Sequence, residues 1–151
     1  MTARIANAKP SPEVMTGVQH LYKAAYAGGL PNETLELVHL RVSQINGCSA
    51  CVNAGVTNAT KAGMAAERLH AVSAWYESPL FTDAERAALA LAEAATRLSD
   101  RPGAVTDEIW EAAAGHYDER QLSSLVLMVA LTNFFNRINT TLRVPAGTTW
   151  G

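Results

Sequence analysis

Cysteine is nearly missing from this chain: two residues in 151, Cys48 and Cys51. That excludes the multi-bridged scaffold of a small secreted domain. Long apolar runs are also missing. No stretch approaches the roughly 18 consecutive apolar residues that a membrane-spanning helix needs. The first fifteen residues, MTARIANAKPSPEVM, contain no apolar leader segment, so the expected compartment is the cytoplasm. Charge is thin and balanced, with 12 basic and 14 acidic side chains and a net charge of −2. Without a basic run to neutralise phosphates, neither nucleic acid nor an anionic membrane is an expected partner. No segment alternates with strand periodicity, and no internal repeat stands out.

What is present is a chain 48% hydrophobic and 17% charged, a composition that suits one globular domain over residues 1–151. Helical spacing dominates, and the expected fold class is an all-α bundle. Pro10-Ser11-Pro12 opens a first helix to about Tyr26, and Asn32 is placed to cap a second from about Glu33 to Asn46. A third runs from about Cys48 to Gly63 and a short fourth from Ala65 to about Trp75. Thr82 and Glu85 have capping-box spacing for a fifth, to about Leu98. Thr106-Asp107-Glu108 begins a sixth, to about Tyr117, and the last spans about Glu119 to Leu142. Its run from Leu125 to Leu131 is apolar all round, which predicts a central helix or one at a subunit contact.

Cys48 and Cys51 stand three residues apart, directly after Asn46-Gly47. On a helix that spacing puts their Cα atoms roughly 5 Å apart, within bridging range. In a reducing compartment such a pair suits redox or metal chemistry better than a permanent bridge. The first turn of a helix favours a thiolate. A thiolate attacks a peroxide to give a sulfenic acid, which a neighbouring thiol converts to a disulfide. Structural zinc needs four ligands, and no second Cys-x-x-Cys or Cys/His pair supplies them. Val52 follows Cys51, so the c-type haem attachment pattern fails. No cofactor is expected. Two buried cysteines packing as small hydrophobes are the bland alternative.

Three stretches carry a resemblance. Residues 36–51, ELVHLRVSQINGCSAC, resemble the signature of the carboxymuconolactone decarboxylase and alkylhydroperoxidase D-like (AhpD-like) proteins. So do residues 69–89, LHAVSAWYESPLFTDAERAAL, and 133–139, NFFNRIN. The resemblance implies an all-helical fold of about six to eight helices, assembled as a homo-oligomer, trimer or hexamer. It also implies thiol-dependent peroxidase activity on a hydroperoxide, with a lipoyl-type or other protein dithiol as reductant. By position, Glu36 matches the family glutamate, Cys51 the peroxide-attacking thiol and Cys48 the resolving thiol. The family's relay histidine, four residues after the second cysteine, is Gly55 here. The relay from Cys51 to Glu36 then has to run through water or another side chain, which predicts attenuated activity.

His39, one turn from Glu36, is a candidate auxiliary residue, although a partly exposed helix histidine is the default reading. Asn136 and Arg137 are further auxiliaries, with capping or salt-bridge roles as the alternative. His20, His70 and His116 have no motif context. Trp75, Trp110, Phe134 and Phe135 read as core or interface aromatics. Rival functions are a carboxymuconolactone-type decarboxylase, with a basic pocket from Arg41, Arg137 or Arg143, and a redox-sensing or scaffold protein of the same fold. Zinc shared across subunits is a weaker fourth.

Overall fold

The computed structural model describes residues 2–6 and 8–148. Among them are seven α-helices: α1 (Pro12–Tyr26), α2 (Asn32–Ile45), α3 (Ser49–Lys61), α4 (Ala66–Ala71), α5 (Asp83–Thr96), α6 (Asp107–Ala114) and α7 (Glu119–Leu142). A 3₁₀ turn, Val72–Ala74, follows α4. The fold is all-α, as the periodicity predicts, and no helix among the described residues is long and apolar enough to cross a membrane.

Local chemistry sets most helix starts. The Ser11 hydroxyl accepts from the Val14 N–H, with Pro12 inside the first turn. Thr82 and Glu85 exchange side-chain and backbone bonds at the head of α5, and Asp118 and Gln121 do the same for α7. Asn32 does not cap α2. Pro31 stands at that position, and its carbonyl takes the N–H groups of Thr34 and Leu35. The ring fixes φ for helix approach and leaves no donor to satisfy, so Asn32 falls inside the helix.

The fourth helix is shorter than its pattern. Beyond Ala74 the carbonyls of Trp75, Tyr76 and Ser78 turn toward the Arg86 guanidinium rather than along a helix axis. α5 and α6 end at Thr96 and Ala114, short of Leu98 and Tyr117.

The most enclosed helix is α2, packed against α3, α5 and α7. Leu35, Val38 and Val42 join Leu91 of α5 and Leu125 and Met128 of α7 in one cluster. Leu37 and Leu40 join Ala59, Val72, Trp75 and Leu89 in another. Each fully buried Leu or Val contributes roughly 1.5–3 kcal/mol, so α2 is anchored from both sides. In α7 the apolar run divides: Leu125, Met128, Val129 and Leu131 are buried, while Val126 and Phe134 are exposed. Trp75 is in the core, whereas Trp110 is exposed.

Candidate active site

The α2–α3 junction positions the cysteines. α2 stops in a Schellman arrangement: Gly47 N–H bonds to Gln44 O and Cys48 N–H to Ser43 O. Gly47 takes φ 66°, the left-handed conformation this stop requires and glycine adopts without strain. The chain reverses there, and Cys48 becomes the N-cap of α3 rather than part of its first turn. Its sulfur accepts the Cys51 N–H at 3.3 Å. The two cysteines form a disulfide, with Cα atoms 5.3 Å apart. Both are almost wholly buried, Cys51 at 4% exposure and Cys48 at 2%.

Asn139 of α7 reaches one sulfur of the pair: its Nδ2 donates to Cys51 Sγ at 3.3 Å. Such a donor stabilises a thiolate more than a thiol. The other amide atom, Oδ1, is buried without a hydrogen-bond partner among the described residues.

Glu36 is buried on α2 at 3% exposure. A carboxyl group so placed needs partners, and it has two. The Tyr26 hydroxyl, from the end of α1, donates to Oε1 in a short hydrogen bond. His39 Nδ1 lies 3.3 Å from Oε2. With Nδ1 donating to the carboxyl group, Nε2 is left as the acceptor. Burial first, then the hydrogen bond to Glu36, raise the Tyr26 phenol far above its ordinary value. Burial, followed by the Glu36 charge, pushes neighbouring Tyr22 up to about 12. Both phenols therefore stay protonated at neutral pH, and Tyr26 remains a donor.

Cys51 and His39 wall the same cavity of about 320 Å³, with Tyr22, Tyr26, Phe135 and Asn139. Glu36 stands behind His39, held to it and out of solvent. The structure thus gives His39 more than the partly exposed helix position read from the sequence.

Asn136 and Arg137 are not at this cavity. Asn136 is buried, donating to Ser43 Oγ at 3.2 Å and accepting from Asn46 Nδ2 at 2.8 Å, which ties α7 to the end of α2. Arg137 is exposed and lines a separate cavity with Arg97 and Asp100. His20, His70 and His116 are exposed. Gly55 is buried and lines neither cavity that touches the disulfide; a Cβ there would sit 3.4 Å from Leu40 Cα, in the α2–α3 seam. Among the described residues no group of three or more His, Cys, Asp or Glu side chains could hold a metal ion.

Sequence reasoning missed Tyr22, Tyr26 and Asn139. The first two are an i,i+4 pair on α1. Asn133, Asn136 and Asn139 recur every third residue, a polar row on an otherwise apolar helix, and that was the available signal.

A sequence model described as the carboxymuconolactone decarboxylase family matches residues 12–94. The chain is 33% identical over 139 residues to the uncharacterized protein YdfG of Bacillus subtilis, covering 92% of this chain and 93% of that one. Among solved structures it is similar to a protein of unknown function from Agrobacterium tumefaciens, named as a candidate antioxidant defence protein AhpD. The TM-score is 0.88 at 30% identity, over 98% of this chain and all of the other. It also shares its fold with the core of a peroxidase-related AhpD protein from Ralstonia eutropha, with a TM-score of 0.78 at 19% identity, over 92% and 73% of the two chains.

Proposed function

Because the chain belongs to the carboxymuconolactone decarboxylase family, we propose that it is a thiol-dependent peroxidase of the AhpD-like kind, in which Cys51 attacks and Cys48 resolves. One observation carries the reading: the Cys51 sulfur and the His39 ring share a cavity, and His39 is backed by a buried, doubly hydrogen-bonded Glu36. A base oriented by a carboxyl group beside a thiol is the general arrangement for activating a nucleophile.

In the reduced protein His39 Nε2 takes the Cys51 thiol proton, and Asn139 Nδ2 and the α3 N-terminus hold the thiolate. The thiolate attacks the distal oxygen of a hydroperoxide. The O–O bond breaks, the sulfur becomes a sulfenic acid, and the alkoxide takes the proton back from His39 and leaves as an alcohol. Cys48 then attacks the sulfenic sulfur, releasing water and closing the disulfide. His39 performs the task that the family pattern gives to a histidine at position 55, so Gly55 does not by itself imply weak turnover.

The reductant in this reading is a dithiol of lipoyl type, the compartment the cytoplasm and the state a homo-oligomer. Val126 and Phe134 on α7 and Val14 and Leu21 on α1 support the last of these by leaving apolar side chains exposed. The decarboxylase alternative has less behind it. Arg41 is committed to Glu93, and Arg137 and Arg143 line other cavities. Consumption of an alkyl hydroperoxide in the presence of a dithiol tests the function. Turnover by the wild type, abolished in Cys51→Ser, is the expected result; equal turnover in Cys51→Ser would overturn it.

A further inference from the structure

The disulfide has two cavities, one against each sulfur. Cys51 lines the cavity of His39 and the tyrosines and not the other. Cys48 lines a second cavity of about 420 Å³, with Ser49, Thr140, Arg143, Pro145 and Ala146. Ala50 and Asn139 are walls common to both. The linings differ in chemistry. Tyrosines and Phe135 suit the organic group of a hydroperoxide, whereas the Cys48 side carries Arg143, the one Lys or Arg among the described residues of either lining.

Arg143 holds a demanding backbone position. α7 ends in a second Schellman arrangement, with Arg143 N–H bonded to Thr140 O and Val144 N–H to Asn139 O. Arg143 takes φ 56°, where glycine is usual, and is the non-glycine residue at positive φ among those described. The chain turns sharply there, and Arg143 joins the lining of the Cys48 cavity.

We propose that this second cavity is the reductant's port: an anionic dithiol approaches Cys48 past Arg143, while the peroxide uses the Cys51 side. The inference rests on the redox reading of the same pair. The incoming thiolate attacks Cys48 Sγ, forming a mixed disulfide and breaking the Cys48–Cys51 bond. Cys51 leaves as a thiolate, already paired with the Asn139 N–H and facing the His39 that will manage its proton. The reductant's second thiol attacks its own sulfur in the mixed disulfide and gives up its proton to the departing Cys48, which is released as a thiol, leaving the reductant as a cyclic disulfide. Two electrons pass to the protein, and Cys51 is delivered in its attacking form.

The two half-reactions separate this inference from the proposed function, since the disulfide form can be reduced whether or not peroxide made it. Dihydrolipoate and its neutral amide serve as probes that differ in one charge. Reduction of the disulfide form by dihydrolipoate should outpace the amide on the order of tenfold at low salt, and that preference should vanish in Arg143→Gly. Glycine suits the backbone there, so lost preference cannot be blamed on a damaged fold. A second pair of variants, Ala146→Trp and Ala54→Trp, fills one cavity each. The ratio of reduction rate to peroxide-oxidation rate should fall in the first and rise in the second. Equal preference for the two probes in wild type and Arg143→Gly, or a ratio that moves the same way in both tryptophan variants, would overturn the inference.

Discussion

His39 is the residue on which the proposed chemistry turns. Its Nδ1 lies 3.3 Å from Glu36 Oε2 and it lines the Cys51 cavity, so in the proposed cycle it accepts a proton at Nε2. His39→Gln keeps a donor toward Glu36 but supplies no base. Peroxide oxidation of the reduced protein should slow on the order of a hundredfold or more, the usual scale of general-base assistance. Stopped-flow measurement of thiol loss reads this directly, and a rate within a factor of two of wild type would show that the relay lies elsewhere. The sequence contains the Glu36–His39 step, but i,i+3 spacing is the same for a solvated surface pair and a buried dyad. What separates them is Tyr26 arriving from α1, a contact between residues ten apart that only the folded packing brings about. Asn139 was hidden for the same reason: its role depends on α7 crossing the N-terminus of α3.

At the scale of elements, the capping boxes at Thr82/Glu85 and Asp118/Gln121 join neighbours in sequence, and the first was legible from the sequence alone. The α2 start was not, because Pro31 overrides the better capping side chain of Asn32. Position 55 is where local pattern and packing part. Gly55 lies within α3 and faces Leu40 across the seam with α2. A methyl group there meets Leu40 at ordinary contact distance, so Gly55→Ala should raise stability by about 0.5–1 kcal/mol through helix propensity. Gly55→His brings a whole ring into a seam that is already closed and should lower stability by about 1–3 kcal/mol. It should also bring no gain in peroxide turnover if His39 is the relay, as proposed. Chemical denaturation and turnover of both variants check this, and a faster Gly55→His enzyme of unchanged stability would contradict it.

The molecule places three of its four phenols, Tyr22, Tyr26 and Tyr117, where ionisation is costly, and leaves Tyr76 exposed. Tyr22 and Tyr117 are each raised from 10.0 to about 12, chiefly by burial. Above pH 10 the unfolded chain releases these protons while the folded chain keeps them, so stability must fall as pH rises from 10 toward 12. Below pH 10 these groups contribute no slope. Urea unfolding across that range should show the decline, and Tyr117→Phe should flatten it; an unaltered slope would assign the alkaline loss to other groups. The proposed redox cycle also belongs to the whole chain, because its parts come from α1, α2, α3 and α7 together. Its most direct test is a single turnover: the reduced protein is mixed with one equivalent of an alkyl hydroperoxide, and its free thiols are then counted. Both thiols should disappear in the wild type, and Cys48→Ser should stop with a sulfenic acid on Cys51. Two thiols still titratable after the peroxide is added, or a sulfenic acid that forms on Cys48 in Cys51→Ser at the wild-type rate, would contradict the proposed cycle.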